Sequence, residues 1–231
     1  MLLNYPISAK VDKLIAKTTF YQKGNANRHI ERLFVEQIQS IHWAYKLSGD
    51  TINLSSTDKM PEIQIFVINS RVADLSLEIL AFIDKLIPSC IIFEIVYQDK
   101  IKVIATNKRP NENDPQKVVL GAYYASDWQM PNTRQDLPMV LTLSALYEWM
   151  IEQLLINASG LSGKQLSPSD PKTNWTIDDK IQQAQKIATL TKEIQALQNK
   201  IHKEKQFNRQ VHMNLVLQKL KRQLNDLTSV L

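Results

Sequence analysis

Apolar positions along this chain recur with two different periods. Residues 27–45 place Ile30, Phe34, Ile38, Ile41 and Tyr45 at steps of three and four, which predicts one amphipathic helix. Asn27 is a natural cap for it, and Glu31 sits where the N-terminal dipole favours an acid. Gly49-Asp50 reads as a turn and Thr51–Leu54 as a short strand. EIQIFVI (62–68) alternates and then runs apolar, as a core strand does. Residues 75–87 predict a helix capped by Asp74 and stopped by Pro88. CIIFEIVY (90–97) and KIKVIAT (100–106) predict a hairpin around Gln98-Asp99, and KVVLGAYY (117–124) a further strand. KRPNENDPQ (108–116), polar and without period, reads as a loop. A third helix follows Asp136-Leu137-Pro138, with Met139, Leu143, Leu146, Met150 and Leu154 on one face.

This order predicts an α+β fold, a mixed β-sheet with packed helices, followed by a long C-terminal coiled-coil helix. The small and polar stretch SGLSGKQLSPSDPKTN carries the last glycine and the last proline. The expected organisation is therefore an α+β domain over 1–158, a linker over 159–175 and a helical segment over 176–231. Thr176 to Asp179 resembles a capping box. Ile187, Leu190, Ile194, Leu197 and Ile201 then follow heptad steps. HKEKQFNRQ (202–210) interrupts the seam, which resumes at Met213, Leu217, Leu220, Leu224, Leu227 and Leu231, two residues out of phase. With no Gly or Pro at the interruption, the spacing favours one continuous helix over a fold-back near 203–209. The stripe needs a partner: a second copy, another protein, or the chain's own first domain.

Composition narrows the possibilities. Of 231 residues, 44% are hydrophobic and one is cysteine, so the chain can build a core but no internal disulfide. Cys90 heads an apolar run and is expected to be a buried strand residue. No GxGxxG, GxxxxGK[ST], HExxH or GxSxG occurs. No signal peptide or membrane-length apolar run appears, so a soluble cytoplasmic protein with no membrane partner is expected. Residues 1–160 hold 16 Lys and Arg against 17 Asp and Glu; residues 161–231 hold 12 against 6. The basic excess thus lies in the tail, where Lys200, Lys203, Lys205, Arg209, Lys219, Lys221 and Arg222 are candidate nucleic-acid contacts.

One constellation suggests catalysis. Asp50, then Glu62-x-Gln64 at the head of an apolar strand, after a helix bearing Glu36, resembles the PD-(D/E)xK nuclease core. In that core two carboxylates hold a hard cation such as Mg²⁺. The spacing is loose and the usual Lys is replaced by Gln64. No other cofactor and no metal set is expected, since His29, His42, His202 and His212 do not share ligand spacing. Trp43, Tyr45 and Lys46, and Tyr123, Tyr124, Trp128 and Arg134, could stack on a base or seal helix–sheet junctions.

Five segments taken together resemble a bacterial family, domain of unknown function 4391. They are Ile15–Tyr21, Ile41–Leu47 with its I-x-W-x-Y-K-L pattern, Thr51–Leu54, Glu62–Phe66, and Ile83–Pro88. The likeness covers the first 160 residues and, less closely, KEKQFNRQV in the tail. It implies gene neighbourhoods of restriction-modification or phage-defence type, hence an accessory or scaffold role beside a methyltransferase- or helicase-type subunit. No catalytic residue is carried over. The expectation is a non-catalytic subunit assembling through Ile187, Leu190, Ile194, Leu197, Ile201, Leu217, Leu220, Leu224 and Leu227. A metal-dependent nuclease and a DNA-binding module using the basic tail are the alternatives.

Overall fold

The computed structural model describes residues 1–58, 60–111, 114, 117–158, 177–204 and 206–228. The chain divides into two compact units, one containing Met1–Leu154 and the other the C-terminal helices. The predicted linker, the Thr176 cap and Lys205 lie outside the described residues.

In the first unit, six strands form one sheet in chain order: β1 (Lys10–Ile15), β2 (Ile38–Ser48), β3 (Glu62–Ser70), β4 (Cys90–Tyr97), β5 (Lys100–Pro110) and β6 (Val118–Ala125). Neighbours are antiparallel except β3 and β4, which are parallel. A parallel neighbour needs a crossover, and α4 (Leu77–Leu86) supplies it. Helices α1 (Lys17–Gly24), α2 (Arg28–Gln37) and α4 pack on one another. Phe20, Phe34, Ile79 and Ile83 from these helices form a core with Ile41, Phe66, Phe93 and Ile104 from the sheet. Gly24 lets α1 approach α4, for a Cβ there would stand 2.3 Å from the Phe82 ring. By strand alternation Ile63, Ile65 and Ile92 face the other way. Helix α5 (Leu143–Ala158) buries Leu143, Leu146 and Met150, and Tyr147 Oη of α5 donates to Thr106 O of β5 at 2.5 Å.

Several expectations are corrected. The helix predicted over 27–45 ends at Gln37, and Ile38–Ser48 is strand. Asn27 caps α2 as expected, its Oδ1 accepting from Ile30 N at 2.9 Å. A bulge between Ile38 and Ser40 lets Ile38 and Ile41 both point into the core at helix-like spacing. Thr51–Leu54 is not a strand: α3 (Gly49–Ile52) is a single turn, held by Thr51 Oγ1 accepting from Ser48 N and closed by Asn53 in the left-handed region. Ser76, not Asp74, caps α4 through Glu78 N. Strand β5 runs to Pro110, so Lys108 belongs to the sheet rather than to a loop. Met139 precedes α5 and is 96% exposed.

The second unit corrects the largest expectation. Among the described residues no continuous helix runs through the C-terminal segment. Helix α6 (Ile177–Lys203) and helix α7 (Phe207–Thr228) fold back on each other. The sense is antiparallel, since Gln183 Nε2 near the start of α6 donates to Leu227 O near the end of α7 at 3.1 Å. Side chains make the turn that Gly or Pro would otherwise make. Glu204 Oε1 accepts from Gln206 N, and Gln210 Nε2 donates to Glu204 O, so orphan groups at both helix ends are satisfied. Reversal also removes the phase conflict between the two heptad runs.

Candidate functional site

The head of β3 carries the charged residue that the sequence singles out. Glu62 lies opposite Ser48 on β2, and Gln64 lies opposite Lys46. Strand pairing therefore brings Lys46 Nζ to 3.3 Å from Glu62 Oε2. Gln64 Nε2 donates to Glu62 Oε1 at 2.5 Å and Ser89 Oγ donates to the same oxygen at 2.8 Å. Burial pushes the Glu62 carboxyl up. The hydrogen bonds from Gln64, Ser89 and Lys46, with the Lys46 charge, outweigh it and hold the group below its ordinary range.

Ser89 links this surface group to a buried one. Its carbonyl accepts from Lys108 Nζ at 2.8 Å. Lys108 also donates to Asp84 Oδ1 at 3.0 Å and to Ile87 O. Tyr123 Oη donates to Asp84 Oδ2 at 2.6 Å. Asp84 and Lys108 are buried side chains, on α4 and β5 respectively. Burial lowers the Lys108 pKa against the opposing pull of Asp84, and burial raises Asp84 against Lys108 and Tyr123. Lys108 spends three donors on three acceptors, so it has no proton left for a ligand. The cluster fastens the α4–β4 turn to the sheet.

A second buried charge is closed in the same way. Glu94, within the apolar run of β4, takes both nitrogens of Arg134 at 2.9 and 2.5 Å. Arg134 also donates to Leu3 O at 2.7 Å, and Tyr5 stacks on Tyr45 with centroids 4.9 Å apart. Lys102 lies 4.6 Å over the Trp128 ring, and Trp43 Nε1 donates to Tyr45 O. The aromatic–basic groups read from the sequence thus take internal partners. Cys90 is buried as expected, and burial pushes its thiol up to about 11.

Asp50 stands apart from Glu62's partners. It is exposed on α3 and lines a surface concavity of about 590 Å³ with Asn4, Ser8, Asn53 and Asp136, and Glu62 is not among the residues that line it. Among the described residues no three His, Cys, Asp or Glu side chains form a group able to hold a metal. His29 pairs with Glu78 at 3.2 Å.

Sequence reasoning missed Asp84, Lys108 and Glu94, and it named Tyr123 and Arg134 without the carboxylates they bond. Two signals were present. Asp84 falls on the apolar stripe of α4 one residue after Ile83, and Glu94 interrupts CIIFEIVY. A carboxylate in such a position requires a buried cation or donor. Nothing in the polar run from Lys108 onward marks that lysine as the partner.

The residues of the predicted stripe differ in burial within the helical hairpin. Ile187, Ile194 and Leu217 are buried, while Leu190, Leu197, Ile201, Leu220, Leu224 and Leu227 are half-buried. Lys200, Lys203, Arg209, Lys219, Lys221 and Arg222 are exposed. A groove of about 660 Å³ between the helices is lined by Gln182, Lys186, Leu190, Gln223 and Leu227, among others. Among the described residues no helix is long and apolar enough to cross a membrane.

The molecule is thus an α+β sheet protein with a helical hairpin, its buried ion pairs closed on themselves. It belongs to the family Domain of unknown function (DUF4391), whose pattern matches residues 3–224 and so takes in both units. No curated protein and no solved structure matches it.

Proposed function

We propose that the protein is a non-catalytic accessory or scaffold subunit of a bacterial DNA-modification or phage-defence complex, working in the cytoplasm and assembling through its C-terminal hairpin. The observation that carries this reading is the unfinished burial of the hairpin stripe. Two helices can cover one another along a single line, and six of the nine seam residues remain half-exposed. A further helix or a second copy would complete their burial. The partner in this reading is the protein itself or a methyltransferase- or helicase-type subunit.

The nuclease alternative, with Mg²⁺ held by Asp50 and Glu62, has weaker support. Both Glu62 oxygens already have protein partners, and Asp50 shares none of them. DNA binding through the exposed basic residues predicts affinity that falls steeply with salt.

The test is molar mass by multi-angle light scattering, alone and co-expressed with the subunits encoded beside it. Wild type should form an oligomer or a complex, and Ile194→Asp combined with Leu220→Asp should release it. An unchanged assembly in that variant, or a wild type that stays monomeric and binds none of those subunits, overturns the proposal.

A further inference from the structure

The face of α7 turned away from its seam has a composition of its own. Val211, Leu215, Lys219 and Arg222 fall on one stripe at steps of four, four and three. The seam residues Met213, Leu217, Leu220 and Leu224 occupy the opposite side of the helix. Val211 is 45% exposed and Leu215 62%. His212 borders the stripe, and His212, Lys219 and Arg222 are exposed. The single acid of α7 is Asp226, one turn beyond Arg222. The stripe therefore runs from apolar to cationic along the helix and ends on Asp226.

We propose that this face docks an acidic amphipathic helical segment of a partner protein, its apolar residues meeting Val211 and Leu215 and its carboxylates meeting Lys219 and Arg222. This rests on the accessory-subunit reading and specifies the chemistry of its partner. Charge complementarity selects the occupant. The same face of a second copy would bring Lys219 and Arg222 against cations or against apolar side chains, with Asp226 the one carboxylate α7 offers in answer. A nucleic-acid backbone would answer the cations but leave Val211 and Leu215 unmatched. Lys221, two residues from Lys219, also points to a different side of the helix, so the lysines do not form one phosphate-tracking row.

The experiment is fluorescence anisotropy on the full chain. The probe is a synthetic peptide of about 20 residues, long enough for several helical turns, with leucines on one face and glutamates beside them. A peptide with lysines for the glutamates and a short DNA duplex are the comparison probes. The acidic peptide should bind, more weakly as salt rises, and Leu215→Glu and Arg222→Glu should each weaken it by about tenfold or more. Leu215 is exposed, so Leu215→Glu should leave the far-ultraviolet circular dichroism unchanged, which separates lost docking from lost folding. No binding of the acidic peptide, equal binding of the lysine peptide, or unchanged affinity in Leu215→Glu overturns the proposal. Duplex binding removed by Arg222→Glu but indifferent to Leu215→Glu assigns the face to nucleic acid instead. If Ile194→Asp with Leu220→Asp releases the natural complex while Leu215→Glu does not, the accessory reading stands and this face is rejected.

Discussion

Glu62 is the residue at which sequence and structure come closest and still part. Its place at the head of a core strand, two residues before Gln64, was legible, because an acid ending an apolar alternation is visible in the sequence alone. Its partners were not, since Lys46 and Ser89 reach it only through strand register and the β3–α4–β4 crossover. That environment has a pH signature. The folded-state pKa of Glu62 lies below its unfolded value near 4.5, so its contribution to stability is present above that value and is lost as pH falls through the folded pKa. Wild type should be more stable than Glu62→Gln by about 1 kcal/mol at neutral pH. Urea unfolding at a series of pH values should show the difference closing as pH falls below that unfolded value. A gap that stays constant across that range would mean that the carboxylate charge adds nothing to the three hydrogen bonds.

At the scale of elements, β3 to β6 were legible in the sequence, while β1 and α1 were not read and β2 was taken for helix. β3, β4 and the β4–β5 turn lie where alternation and the Gln98-Asp99 pair put them, Gln98 taking the positive φ that a tight turn requires. β2 was misread because its bulge disguises a period of two as a period near 3.6. The hairpin turn was misread because Glu204 and Gln210 do with side chains what breaker residues usually do with backbone. The Lys108–Asp84 pair was hidden for a third reason: it fastens two elements far apart in sequence, and neither flank announces the other. The pair bears directly on how α4 stays on the sheet. Lys108→Met leaves Asp84 buried with only the Tyr123 hydroxyl and should cost about 3–5 kcal/mol. Lys108→Met combined with Asp84→Leu removes both charges and should recover much of that loss. Denaturant midpoints of the two variants decide it; equal losses would show that Lys108 acts through its bonds to Ile87 O and Ser89 O rather than through the ion pair.

Across the whole molecule the two units differ in charge, architecture and kind of core. The first is close to neutral and buries its apolar residues on a sheet; the second is basic and has only a two-helix stripe. The family pattern spans 3–224, so the hairpin is a family feature and not a tail added to one member. The core cluster of the first unit draws on residues before Leu154, and whether it holds without the hairpin stripe is measurable in the full chain. With Ile194→Asp and Leu220→Asp together, amide hydrogens of α6 and α7 should exchange freely, because each substitution puts a charge into the apolar line those helices share. Amides of β3, β4 and β5 should keep their protection, being held by the Phe66–Phe93–Ile104 core. Loss of protection in both units at once would make the hairpin a part of the domain's fold. In that event a change in molar mass would report on unfolding as much as on assembly. Protection lost in α6 and α7 alone leaves the sheet unit intact, and the same variant then reads out the hairpin's role in assembly without disturbing the rest of the protein.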